Sequence, residues 1–170
     1  MKNKPLRSIT AILFLTCSLF ACQAKDKNAE TVSAVVTNIL TMPNAVVQEM
    51  AQEEANSIDA PHDAYEQVLG GYVAENSDGI FIWWQTFVGY SSNWNFTIAI
   101  DELTVSLKEN NGDASVYHFQ AQATIVTSDQ KEHPAEFSGV VQLASDGKAD
   151  YMDIYGSGMD VIHLIISQPL

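Results

Sequence analysis

Four histidines, two cysteines and 21 carboxylates are the residues of this 170-residue chain with the chemistry to hold a metal or attack a substrate. Their spacing withholds most of that chemistry. His62, His118, His133 and His163 are separated by 56, 15 and 30 residues, so no His-x-x-x-His pair sets two imidazoles on one helix face. Asp146, Asp150 and Asp153 are close together but lack the Asp-x-Asp-x-Asp-Gly order of a calcium loop, and read as a solvated turn and strand edge. No Gly-x-Ser-x-Gly elbow is present, and Gly156-Ser157-Gly158 reads as a flexible turn. Gly70-Gly71 has neither the length nor the lysine of a phosphate loop. The expectation is therefore no metal and no cofactor.

The cysteines carry a different message. Lys2, Lys4 and Arg7 give the first seven residues a positive charge with no acid, and Ile9 to Phe20 form an apolar run of about a dozen residues, too short to span a bilayer. The run ends in Leu19-Phe20-Ala21-Cys22, which resembles the lipobox of bacterial lipoproteins, with Phe20 bulkier than the residue usual there. The resemblance implies that residues 1–21 are a signal peptide and that Cys22 becomes the lipidated N-terminus. Residues 22–29 would then be a tether, and 30–170 a single domain at the cell membrane on its extracytoplasmic side. The alternative is an ordinary secretory signal cut after Ala21 or Ala24. Buried acyl chains contribute about 0.8 kcal/mol per methylene, which makes a surface anchor. Gln23 in place of Asp would permit outer-membrane sorting in a Gram-negative cell. With Cys17 removed and Cys22 acylated, the 149 residues from Cys22 onward keep no thiol, and the core alone must stabilise them. A domain of that size buries roughly 68–70% of its unfolded surface.

Charge narrows the partners. All 21 acids follow Cys22, against Lys25, Lys27, Lys108, Lys131 and Lys148, so the exported chain carries −16 and no arginine. Nucleic-acid binders show the reverse, and bidentate capture of phosphate or carboxylate is work for arginine. Nucleic acid is excluded as the expected partner. A protein, a small apolar ligand or a cationic group fits better.

The elements that must position any site follow from periodicity. Val32, Val35, Val36, Ile39 and Leu40 predict a helix over 30–41, broken at Met42-Pro43-Asn44. A second helix is expected from about Asn44 to Ala55, and a third, capped by Asp59, from Pro61 to Gly70-Gly71. Residues 79–90 fit a strand by composition and a helix by the stripe Ile80, Trp83, Trp84, Phe87 and Val88. From Asn95 the strand signal is plain: Phe96, Ile98 and Ile100 alternate, then Leu103, Val105 and Leu107 in the opposite phase, which predicts a bulge near Asp101-Glu102. Turns at Asn110-Asn111-Gly112, Ser128-Asp129 and Ser145-Asp146-Gly147 divide the remainder into further strands, the last being 149–155. A final apolar stretch covers 161–166. This is an α+β pattern: N-terminal helices packed on a curved antiparallel sheet of about four to five strands.

The helix-break-helix at Ile39 to Asn44 and the hairpins from Asn95 to Tyr155 resemble the NTF2-like (cystatin-like) superfamily, over about three-quarters of the chain. In particular, Tyr117–Val126, Phe137–Leu143 and Asp146-Gly147-Lys148 followed by Tyr151 look like small NTF2-like lipoproteins of Gram-positive bacteria. The resemblance implies a cone-shaped domain with helices on the concave side of the sheet, and it makes 80–88 helical. It carries no catalytic motif, and the fold hosts enzymes, ligand binders and interaction modules alike. The expectation is a binding or interaction module. The rival is a small-molecule enzyme, for which Asp101, His118, Tyr151 and Asp153 are the acid–base candidates inside the cone. Trp83, Trp84 and Trp94 are either core filling or a stacking surface at its mouth. A homodimer through the sheet's outer face is a further expectation by analogy.

Overall fold

Asp26 starts the first helix. Its backbone is extended and its Oδ1 accepts a hydrogen bond from the Asn28 amide at 3.0 Å, capping α1 (Lys27–Leu40). In the computed structural model, which describes residues 26–44, 60–75 and 77–167, α1 therefore opens three residues before the expected start, inside the stretch read as tether. The signal peptide, Cys22 and the helix expected after Asn44 lie outside the described residues. So does the Asp59 cap.

Val32, Val35, Val36, Ile39 and Leu40 of α1 are fully buried, as their spacing requires. After the helix, Met42 pairs with Ile98 through two backbone bonds of 3.0 and 2.7 Å. Helix α2 (Ala60–Leu69) ends at Gly70, and Val73 bridges to Ala149. The ambiguous segment is helical: α3 (Asp78–Trp94) buries Ile80, Trp84, Phe87 and Ser91, and Asn95 closes it in the left-handed conformation.

Four strands follow, β1 (Thr97–Asn110), β2 (Ala114–Val126), β3 (Glu132–Ala144) and β4 (Ala149–Tyr155), joined antiparallel in the order β1-β2-β3-β4. The bulge falls where the change of phase predicts it, with Asp101 unpaired between Ile100 and Glu102. A second irregularity leaves Lys108 unpaired between Leu107 and Glu109. The last apolar stretch is a helix, α4 (Ser157–Ile166), packed on β3. Three described helices thus precede the curved sheet and one follows it.

The core lies between the helices and one face of the sheet. Tyr117, Phe119, Ala121, Ala123 and Ile125 of β2 and Phe137, Val141 and Leu143 of β3 all point into it. Gly139 sits opposite Phe119, whose ring occupies the place of a Cβ. Gly158 of α4 likewise rides directly over the Phe137 ring.

Candidate functional site: the uncovered face of the sheet

Strand alternation sends every second side chain to the face that no described helix covers. The register sets Ser106, His118, Val140 and Asp153 in one row across the four strands, and Thr104, Gln120, Ser138 and Tyr155 in the next. Between these rows is an open depression of about 250 Å³, lined by Thr104, Ser106, His118, Gln120, Ser138 and Tyr155 above the Phe119 backbone strand. Its walls are hydroxyls, one amide, an imidazole and a phenol, with no carboxylate or ammonium among the lining residues. Tyr151 and Tyr155 stand half exposed beside it, at 50% and 48%. Such a surface offers hydrogen bonding and aromatic contact, with Asp153 at the end of one row and Glu102 and Glu136 in the row beyond Thr104 and Gln120.

The acid–base candidates lie on this outer face and not inside the cone. Asp101 is exposed at its bulge, where its Oδ2 accepts from the Thr124 hydroxyl at 2.9 Å. His118 is half buried, and its Nε2 has no hydrogen-bond partner within the described protein. The Asp153 carboxylate accepts from the Ile154 amide at 3.0 Å, and Tyr151 faces Gln142 across the ladder. Tyr151 and Asp153 are neighbours on one strand face. His118 is two strands from Asp153, about 10 Å at the usual strand spacing. Asp101 lies beside Thr124, six residues along β2 from His118, about 20 Å of strand. The four do not converge. The bulge was legible at Asp101, but its direction was not: the concave side is filled by apolar side chains, and a carboxylate is expelled from it.

The tryptophans divide in the same way. Trp84 is fully buried and meets Tyr65 edge-on at 5.7 Å, as core. Trp83 is half buried, and its Nε1 donates to the Met152 carbonyl at 3.2 Å, tying α3 to β4. Trp94 packs edge-on against Tyr90 at 6.1 Å. Trp83 and Trp94 are separated by about 16 Å of helix, so no two indoles form one stacking platform.

Neither a family model nor a curated protein matches the chain in sequence. Among solved structures, the fold is similar to the NMR solution structure of TraH, a candidate transfer protein from the Gram-positive conjugative plasmid pIP501. The TM-score is 0.54 over 77% of this chain and 93% of that one, at 8% sequence identity. The likeness is one of fold.

Two further depressions are lined by described residues. One of about 200 Å³ between α2 and α3 is lined by Tyr65, Phe81, His62, Glu66, Glu75 and Asp78. Tyr65 donates or accepts at the Ser77 hydroxyl across 3.2 Å, and burial pushes its phenol above the ordinary value of 10.0. The other, of about 260 Å³, lies at one end of the sheet between Asn28, Asn110, Asp113, Ser145, Asp146 and Gly147. Among the described residues no group of three His, Cys, Asp or Glu side chains could hold a metal, and no helix is long and apolar enough to cross a membrane.

Proposed function

We propose that the chain is an extracytoplasmic lipoprotein, held at the membrane by lipid on Cys22, whose domain is an interaction module that binds through the uncovered face of its sheet. One observation carries the second half of this reading. The concave side of the sheet is filled by Phe119, Phe137, Trp84 and their neighbours, whereas the outer face presents a depression of hydrogen-bonding side chains with two half-exposed tyrosines, bordered by the carboxylates of Glu102, Glu136 and Asp153. Recognition therefore takes place on a surface, where a polar face with aromatic anchors suits a protein partner. The −16 carried by the residues from Cys22 onward (5 lysines against 21 acids) argues against polyanions. The acid–base rival lacks support, because its four candidate groups are dispersed over that same outer face.

The NTF2-like resemblance favours a Gram-positive cell membrane as the address. TraH is described as a candidate conjugative transfer protein, which makes components of such an apparatus the first partners to try; a second copy of the chain is another. A photo-crosslinking residue placed at Gln120, on the outer face, is expected to trap a partner in intact cells. The same residue at the exposed Gln85 of α3 is expected to trap none, and Ser138→Arg should abolish the Gln120 product. Crosslinks from Gln85 alone, or indifference to Ser138→Arg, would contradict the sheet face as the binding surface. Cys22→Ser should release the protein from the membrane fraction; retention there would contradict the anchor.

A further inference from the structure

The end of the sheet formed by the β1–β2 and β3–β4 turns is also the end at which α1 begins. Asp26 is fixed there twice, by the Asn28 amide on Oδ1 at 3.0 Å and by the Tyr117 hydroxyl on Oδ2 at 2.9 Å. Gly147 of the β3–β4 turn lies against Asn28, so the helix start and the turn are in contact. Only Gln23, Ala24 and Lys25 separate Cys22 from Asp26, a reach of at most about 14 Å between the two Cα atoms. The opposite turn, Thr127 to Lys131, is separated from this end by the whole of β2, about 40 Å of strand.

Charge is distributed along the same axis. The rim made by residues 26–28, 108–114 and 145–148 contains Lys27, Lys108 and Lys148 against Asp26, Glu109, Asp113 and Asp146. The opposite turn, residues 127–131, contains Asp129 and Lys131, and Glu132 and Glu136 follow it along β3. An anionic bilayer repels carboxylates within a Debye length of about 8–10 Å, and the three lysines of the rim offset most of its four.

We propose that the turn end is the membrane-facing surface: residues 110–113 and 145–148 rest at the lipid headgroups, and the sheet stands up from the bilayer with its uncovered face turned sideways. This rests on the lipid anchor at Cys22. The short tether leaves no slack for the domain to invert, and the double hold on Asp26 makes the helix start part of the rigid body. A partner bound by the sheet face then meets the domain parallel to the membrane plane, which selects partners that are themselves at the surface.

The test uses the full exported chain, acylated in cells and reconstituted in vesicles of phosphatidylglycerol and phosphatidylethanolamine. Acylation of Cys22 and loss of Cys17 leave no other thiol, so a fluorophore attaches to a single introduced cysteine at Asp113→Cys, Asp146→Cys or Asp129→Cys. Quenching by a nitroxide on the lipid headgroup is expected to be several-fold stronger at positions 113 and 146 than at 129. Equal quenching at all three, or the strongest at 129, would overturn the upright orientation while the acyl mass on Cys22 leaves the anchor intact. A mass spectrum without acyl chains on Cys22 would overturn the anchor, and the orientation with it.

Discussion

The hydroxyl of Tyr117 donates to the Oδ2 of Asp26 across 2.9 Å, joining two residues 91 positions apart. Asp26 thereby serves both as the cap of α1 and as an acceptor for the sheet near its β1–β2 turn. Tyr117 is 3% exposed, so the bond is shielded at its phenol end and open to water at its carboxylate end.

Removing the phenol oxygen by Tyr117→Phe is expected to cost about 1 kcal/mol in urea unfolding, the usual net worth of one hydrogen bond to a partly solvated carboxylate. Asp26→Ala should cost more, about 2 kcal/mol, because a helix cap worth about 1 kcal/mol goes with it. The double variant should cost less than the two single losses added together, since the shared bond is counted once. Strict additivity would show that the pair is not coupled.

Alkaline pH tests the same site. Burial first, then the Asp26 carboxylate, raises the Tyr117 phenol above 10.0, and burial raises that of Tyr65. The folded state therefore holds these two protons more tightly than the unfolded state. The associated stability is present below the unfolded value of 10.0 and is lost as pH rises through the higher folded values. Denaturant midpoints are expected to fall above pH 10, with less loss in Tyr117→Phe. A midpoint that is flat over this range would refute the linkage.

Glycine-to-alanine exchange should have opposite signs on two helices. At Gly89 of α3 a Cβ meets nothing within 4 Å, and alanine should stabilise by about 0.5–1 kcal/mol through helix propensity alone. At Gly158 of α4 the added carbon would come 2.5 Å from the ring of Phe137, which is fully buried and braced by Phe87 at 5.9 Å. Overpacking costs about 1–3 kcal/mol, which exceeds the propensity gain, so Gly158→Ala should destabilise. Thermal midpoints of the two variants on either side of the parent would confirm the close approach of α4.

Much of this architecture could be read from single residues. The shift from Ile98 and Ile100 to Leu103 and Val105 announces the bulge at Asp101, and the alternation from Tyr117 to Ile125 identifies the core face of β2. Local spacing did not reveal which long-range partner a residue would find. Lys27-Asn28 reads as tether because the group that fixes the helix start, Tyr117, is far along the chain. Gly156-Ser157-Gly158 reads as a turn because the need for a side chain without a Cβ there comes from Phe137. The 79–90 run satisfies both periods, and contacts of Trp84 and Phe87 with the core decide for the helix. The site was least legible. Polar residues on alternate strand positions mark an outer face, but the pairing of Thr104, Gln120, Ser138 and Tyr155 into one row depends on register across four strands.

The two unpaired residues of β1 have a consequence for copies of the protein that meet one another. A free sheet border is a template on which identical strands can zip into polymers. β1 is such a border, and Asp101 and Lys108 interrupt it with an exposed charge at each irregularity, while Met42 occupies part of the remainder through Ile98. The border at β4 is only seven residues long and is partly occupied by Val73 at Ala149. Copies can then collide without fusing edge to edge, which leaves the uncovered face of the sheet accessible.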